Sequence, residues 1–107
     1  MQADKIFEAL ASSQRRKILA YLSKAALTTS DLAERFGMTA PSMSRHLSVL
    51  ENAELVTSRR EGQKVLYEIN PDNLVNTLTG FALEICPVAG PLKRESRALA
   101  KRRRVVE

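Results

Sequence analysis

A helix stop followed almost at once by a helix start constrains this chain more than any other feature. Gly37 comes directly after an amphipathic stretch, and glycine suits the left-handed conformation that often ends a helix. Thr39 is a good N-cap, and Pro41 falls in the first turn of the next stretch, where its missing N–H costs little. Two helices joined by so short a turn form a helix-turn-helix, which the sequence therefore predicts.

Apolar periodicity defines the helices around this turn. The third helix starts at the capping-box pair Thr28 and Asp31, and the fourth helix runs to about Asn52. Two short helices precede them, over residues 4–11 and about 14–23. The predicted inward positions of the second, third and fourth helices are Ile18, Leu19, Leu22, Leu32, Ala33, Phe36, Met43, Leu47 and Leu50.

A β-hairpin is predicted directly after the fourth helix. Strands over residues 55–60 and 64–70 flank a tight turn at Glu61-Gly62-Gln63. In the second strand, Val65, Tyr67 and Ile69 alternate with Lys64, Leu66 and Glu68, which is a period of two. A hairpin in this position is a wing, so we expect a mainly α winged helix-turn-helix with about five helices, a two-stranded β wing and a basic C-terminal tail.

Apolar stripes near both ends of the predicted domain indicate a subunit interface. The first helix carries one stripe, and a fifth helix, starting at Asn70-Pro71, carries a seam with coiled-coil-like spacing. Such stripes can also form an intramolecular core, but in so small a domain they favour an isologous dimer. The predicted interface residues are Ile6, Phe7, Leu10, Leu74, Leu78, Phe81 and Ile85.

The excess positive charge lies at the C-terminal end of the chain. The net charge is +5, and residues 92–107 carry seven basic and two acidic side chains, whereas the remaining residues carry ten of each sign. We therefore expect a DNA-binding and dimerisation domain over residues 1–87 and a basic extension over residues 88–107. The extension is expected to be disordered or to form a helix on a partner. Because the body is neutral overall, the positions of its charges must decide what it binds.

The outward face of the fourth helix is small, polar and basic. Its first turns contain no acidic residue, and the first acid is Glu51. The major groove of DNA admits such a helix, and Arg45 suits recognition of guanine. The predicted DNA contacts of this helix and its cap are Thr39, Ser42, Ser44, Arg45, His46 and Ser48.

Cations on two other elements extend this predicted surface. Arg15 and Arg16 lie at the start of the second helix, where positive charge opposes the helix dipole and suggests an external anion as partner. The wing adds residues suited to phosphates or a minor groove, namely Arg59, Arg60, Gln63 and Lys64.

Catalytic and metal-binding functions lack the residues they need. His46 is the only histidine, and no nearby acid in the sequence orients it. Cys86 is the only cysteine, so we expect a buried core or interface thiol, and a redox role would need Cys86 of a second subunit. We predict no enzymatic activity, no cofactor and no metal. A signal peptide and a membrane-span pattern are both absent, which favours a cytoplasmic protein.

These residues resemble the ArsR family of winged-helix regulators, most closely its SdpR-like branch of autorepressors. The resemblance covers residues 4–85, and its most specific part is Ser44-Arg45-His46-Leu47 followed by the wing. It implies a homodimer formed through the first and fifth helices, with the fourth helix in the major groove of a palindromic operator. The third helix lacks the cysteines of the family's metal-responsive members, and the fifth helix lacks histidine, so the resemblance does not extend to metal sensing.

Three other functions remain open at this point. The winged fold can serve as a protein-interaction module of the antitoxin type, although the Ser, Arg and His side chains of the fourth helix disfavour it. The arginine-rich tail can bind RNA, although the body lacks an aromatic stacking platform. A small-molecule effector, or chemistry at Cys86, can release the protein from DNA.

Overall fold

The computed structural model describes residues 2–86 and 91–106, and it contains the predicted helix-turn-helix and hairpin. A short third strand precedes the helix-turn-helix, and the tail forms a helix. In chain order the elements are α1 (Gln2–Leu10), α2 (Ser13–Leu22), β1 (Leu27–Thr28), α3 (Thr29–Phe36), α4 (Ala40–Asn52), β2 (Val56–Glu61), β3 (Lys64–Ile69), α5 (Pro71–Ile85) and α6 (Pro91–Val106).

The chain forms two compact units, Met1–Leu74 and Val75–Glu107, so their boundary falls inside α5. The domain boundary predicted from the sequence, between residues 87 and 88, lies outside the described residues. Within the described residues, no helix has the length and apolar character needed to cross a membrane.

Polar caps and one glycine set the ends of α3 and α4, as predicted. The Thr28 hydroxyl accepts from the Asp31 backbone N–H at 3.0 Å, and the Asp31 carboxylate accepts from the Thr28 N–H at 3.0 Å. Gly37 ends α3 with φ +63°, a left-handed conformation that disfavours a Cβ atom. The Thr39 hydroxyl then accepts from the Ser42 N–H at 3.2 Å and starts α4.

The core lies beneath the first four helices and the base of the hairpin. All inward positions predicted for α2, α3 and α4 are buried, except that Phe36 is only half-buried. Ile6 is fully buried in this core, so it cannot lie on the surface where the sequence analysis places an interface. Other buried side chains are Ala9, Ala53, Leu55 and Val56.

The sheet has the order β1-β3-β2, and both of its pairings are antiparallel. Glu61 pairs with Lys64, so Glu61 ends β2 and only Gly62 and Gln63 form the turn, one residue fewer than predicted. Gly62 has φ +65°, a conformation that two-residue hairpins require and glycine adopts without strain. Strand β1 contains two residues, too few to show a sequence period.

A left-handed non-glycine residue connects α4 to the hairpin. Glu54 has φ +59°, and its carbonyl accepts from the side-chain amides of Asn70 and Asn73, both at 3.0 Å. The Asn70 backbone N–H also donates to the Leu55 carbonyl at 2.7 Å. The start of α5 therefore fixes the backbone that leads from α4 into the wing.

The second unit leaves apolar side chains of α5 exposed. No residue of α5 is buried, and the predicted stripe residues Leu78, Phe81 and Ile85 are 40%, 45% and 65% exposed. Cys86 is also exposed, so the expectation of a thiol buried in the protomer core is wrong. Leu74, which belongs to the first unit, packs against the core of that unit.

We expect Gly37→Ala to lower the free energy of unfolding by about 1–2 kcal/mol, because alanine is strained in the left-handed region. Space is not the cause, since a Cβ at this position would meet nothing within 4 Å. Gly80→Ala, inside α5 and equally unobstructed, is the control and should stabilise by about 0.5–1 kcal/mol. Urea denaturation measures both variants, and equal effects would contradict this account of the turn.

Candidate DNA interface

The outward face of α4 is held in place by its buried inward face. Met43, Leu47 and Leu50 are each 0% exposed, which fixes the rotation of the helix about its axis. Val49 of the same helix packs partly against the core. Of the predicted contact residues, Thr39, Ser44, Arg45 and Ser48 are exposed, and Ser42 and His46 are half-buried.

Glu51, the first acid of α4, is joined to the wing. The Ser58 hydroxyl of β2 donates to the Glu51 carboxylate at 2.7 Å. Glu51 follows the predicted contact residues and lies in the last turn of α4. The negative charge of this helix is therefore tied to the base of the wing, and the earlier turns of α4 remain free of acids.

Two cations at the start of α2 bind the C-terminal end of α1. The Arg15 guanidinium donates to the Ala9 carbonyl at 2.8 Å and to the Glu8 carbonyl at 3.1 Å, and Arg16 donates to the Leu10 carbonyl at 2.6 Å. These carbonyls form the negative end of the α1 dipole. Both arginines therefore have acceptors within the protomer, which the sequence did not show, and their contact with DNA remains a prediction.

Arg15 also reaches α4, where its Nη1 lies 3.4 Å from Nδ1 of His46. Arginine can only donate, so Nδ1 must accept and the imidazole proton must lie on Nε2. Burial, together with the positive charge of Arg15, lowers the pKa of His46 below its ordinary value of 6.5. His46 is therefore neutral at physiological pH and offers one N–H donor, at Nε2.

The two faces of the wing differ in charge. Residues directly opposite each other in the hairpin share a face, so Val56, Ser58, Arg60, Val65, Tyr67 and Ile69 form one face and Thr57, Arg59, Glu61, Lys64, Leu66 and Glu68 form the other. We call the first the inner face, because Tyr67 and Ile69 pack against the core and Ser58 contacts α4. The second is the outer face.

The cations of the outer face have acidic neighbours. Arg59 forms ion pairs with Glu68 and, at 3.7 Å, with Glu61. The positive charge of Lys64 contributes to the lowered pKa of Asp31, although the hydrogen bonds from Thr28 are the main cause. Arg60, on the inner face, has no ion pair within the part of the chain that the structure describes. The sequence could not distinguish Arg59 from Arg60, because their difference depends on which face each occupies.

A groove between α2 and α3 was not predicted from the sequence. The groove has a volume of about 600 Å³. Arg35 and Tyr21 both line it, and the Arg35 guanidinium lies over the Tyr21 ring, 5.2 Å from the ring centre. Its lining residues are Gln14, Lys17, Ala20, Tyr21, Arg35 and Phe36. Residues 2–86 and 91–106 contain no group of three or more metal-ligating side chains.

Comparison with known proteins identifies the family of this chain. Residues 12–58 match the model of the bacterial regulatory protein, arsR family. The chain is 37% identical over 73 residues to the transcriptional repressor SdpR of Bacillus subtilis (strain 168), an alignment that covers 68% of this chain and 81% of the relative. The chain belongs to the ArsR family. Its relatives are transcriptional regulators rather than enzymes.

Solved structures support the fold of this ArsR-family chain. A crystal structure of an ArsR family transcriptional regulator matches with a TM-score of 0.70 and 30% identity, covering 78% of this chain and 84% of that one. The homodimeric winged helix-turn-helix DNA-binding domain Mb0332 of Mycobacterium bovis matches with a TM-score of 0.66 and 28% identity, covering 79% and 82%. The predicted fold class is confirmed, whereas the individual contact residues remain predictions.

The single histidine of this ArsR-family chain allows a direct test of the Arg15 contact. In the full chain with ¹⁵N-labelled histidine, NMR should show His46 protonated at Nε2, with a pKa below 6.5. Arg15→Gln should raise the pKa, because it removes a nearby positive charge. Arg16→Gln is the control, since Arg16 also binds α1 but has no contact with His46. Identical spectra for the two variants would contradict the proposed link.

Proposed function

We propose that this chain is a sequence-specific repressor that binds double-stranded DNA as a homodimer. Its operator is palindromic, and its regulation includes its own gene, as in the autorepressor branch that the sequence resembles. The observation that carries the proposal is the acid-free outward face of α4, fixed by three fully buried residues. The names of the relatives support it, since SdpR is a transcriptional repressor and Mb0332 has a homodimeric DNA-binding domain.

Helix α4 enters the major groove, where its exposed side chains approach base edges. Arg45 donates two hydrogen bonds to a guanine, and the Nε2–H of His46 donates to a base or a phosphate. Small residues on the same face allow close approach of the helix. The proposed contacts of α4 and its cap remain Thr39, Ser42, Ser44, Arg45, His46 and Ser48.

The other predicted phosphate contacts form two groups, according to whether they bind partners within the protomer. Arg15, Arg16 and Arg59 bind groups within the protomer, so their main role is to hold the surface together. Arg60 is the principal phosphate contact of the wing, and Gln63 and Lys64 at its tip are secondary ones. No metal is required for any of these contacts, and a small-molecule effector remains a separate question.

The exposed stripe of α5 forms the dimer interface with a second copy. Exposed apolar surface of this extent usually marks an interaction site. The proposed residues are Leu78, Phe81 and Ile85, with Phe7 and the half-buried Leu10 from α1. On successive major grooves of one duplex, the two copies of α4 in the proposed dimer lie about 34–36 Å apart, which is one turn of DNA.

We expect Arg45→Ala to reduce the free energy of binding to the preferred duplex by about 1–3 kcal/mol and to relax the sequence preference. Fluorescence anisotropy would compare a duplex from the gene's own upstream region with a scrambled duplex. Lys24→Ala, which removes an exposed charge after the end of α2, is the control. Unchanged affinity and preference in Arg45→Ala would remove Arg45 from the base contacts. No preference in the wild-type protein would refute the proposed function.

Arg60→Ala should weaken binding to all duplexes by a similar factor. The slope of log K against log salt should fall by about 0.9 for each phosphate contact that is lost. Arg59→Ala is a matched control, because it removes the neighbouring arginine from the outer face. Its effect should be smaller, since Arg59 is already paired with acids. If the two variants had equal slopes, the distinction between the wing faces would be wrong.

Leu78→Glu together with Phe81→Glu should convert the dimer to a monomer, because charges would be buried between subunits. Sedimentation equilibrium measures the mass directly. Leu83→Glu is the control, since Leu83 is 53% exposed and lies on the opposite side of α5 from Leu78. A double variant that remained dimeric would place the interface elsewhere.

A further inference from the structure

We propose that α6 is a second DNA-binding surface, in which one face of the helix binds the phosphate backbone of a duplex. The proposal concerns the same duplex as the proposed function, but it depends on the charge of α6 and not on the base contacts of α4. The family match covers residues 12–58 and does not include this helix.

The first observation is the separation of charge along the chain. The tail from residue 92 onward carries seven basic and two acidic side chains, whereas the rest carries ten of each. Four cations of α6 with described side chains, Arg94, Arg97, Lys101 and Arg102, are all exposed. None of them forms an ion pair within the described residues. Uncompensated positive charge at this density favours a polyanionic partner.

The second observation is the arrangement of these cations on the helix. Arg94, Arg97 and Lys101 are spaced by three and four residues, so they lie on one face of α6 and form a row about 10 Å long. Glu95 and Ser96 lie away from this row. We call these three residues the basic row. Duplex DNA presents one negative charge per about 1.7 Å of its axis, which suits a row of cations of this length.

The remaining surface of α6 argues against a membrane as the partner. Helices that lie on membranes need a broad apolar face, commonly with aromatic side chains. Helix α6 contains no aromatic residue, and Leu99 is its one large exposed apolar residue among the described side chains. The thin apolar surface leaves electrostatic attraction as the dominant interaction of this helix.

Two variants of the full chain separate a directional basic row from diffuse positive charge. The neutral-row variant carries Arg94→Gln, Arg97→Gln and Lys101→Gln. The dispersed variant exchanges adjacent residues, Arg94→Glu with Glu95→Arg and Ser96→Arg with Arg97→Ser, so that no two of the cations at positions 95, 96 and 101 are three or four residues apart. It keeps the amino-acid composition and the net charge of +5 but moves two cations off the row. Circular dichroism verifies that both variants retain their helix content.

Fluorescence anisotropy over a range of salt concentrations would measure the DNA affinity of both variants. The neutral-row variant should bind duplex DNA on the order of 100-fold more weakly at 0.15 M salt, with the slope of log K against log salt reduced by about 2.7 per protomer. The dispersed variant should lose most of the same affinity. The affinity ratio between upstream and scrambled duplexes should stay at its wild-type value in both variants, because phosphate contacts do not read sequence.

Other outcomes would overturn the proposal. A neutral-row variant with the wild-type slope would show that α6 does not contact DNA. A dispersed variant that binds like wild type would show diffuse charge instead of a directed face. If the neutral-row variant lost binding only to duplex RNA, or only to vesicles of phosphatidylserine, α6 would have a different partner. A wild-type protein without sequence preference would instead refute the proposed function, and the slopes would still report on α6.

Discussion

The burial of Met43, Leu47 and Leu50 is the constraint on which the rest of this structure depends. Each fully buried side chain of this size contributes about 1.5–3 kcal/mol, so the three together hold one rotation of α4 about its axis. A shift of one residue along a helix turns every side chain by about a quarter of a circle. The position of Arg45 on the surface is therefore a consequence of core packing.

Folding also divides the arginines of the predicted DNA surface into two groups. Arg15 and Arg16 neutralise the carbonyl end of α1, and Arg59 pairs with two acids. Arg45 and Arg60 have no such ion pair within the described residues. The first unit is close to neutral, yet these two arginines of its predicted DNA surface are not compensated by an acid among the described residues. Net charge alone would hide this arrangement.

The sequence predicted those features that depend on local chemistry. The Thr28–Asp31 capping box, the left-handed Gly37 and the Thr39 cap use residues within a few positions of each other, and all three are present. Features that depend on distant residues were missed or wrong. An apolar stripe cannot show that Ile6 belongs to the core, and a row of cations cannot show that Arg15 binds α1.

The link from α1 through Arg15 to His46 limits how this protein can diverge. Arg15 contacts carbonyls six and seven residues before it, across the short loop at Ala11 and Ser12. Inserting one residue in that loop would move those carbonyls away from the guanidinium, which would then lose the acceptors that hold it beside the imidazole. Ser12 caps α2 by accepting from the Arg15 N–H at 3.3 Å, so only Ala11 can change freely among descendants of this gene, and the length of the loop is inherited with the surface that α4 presents.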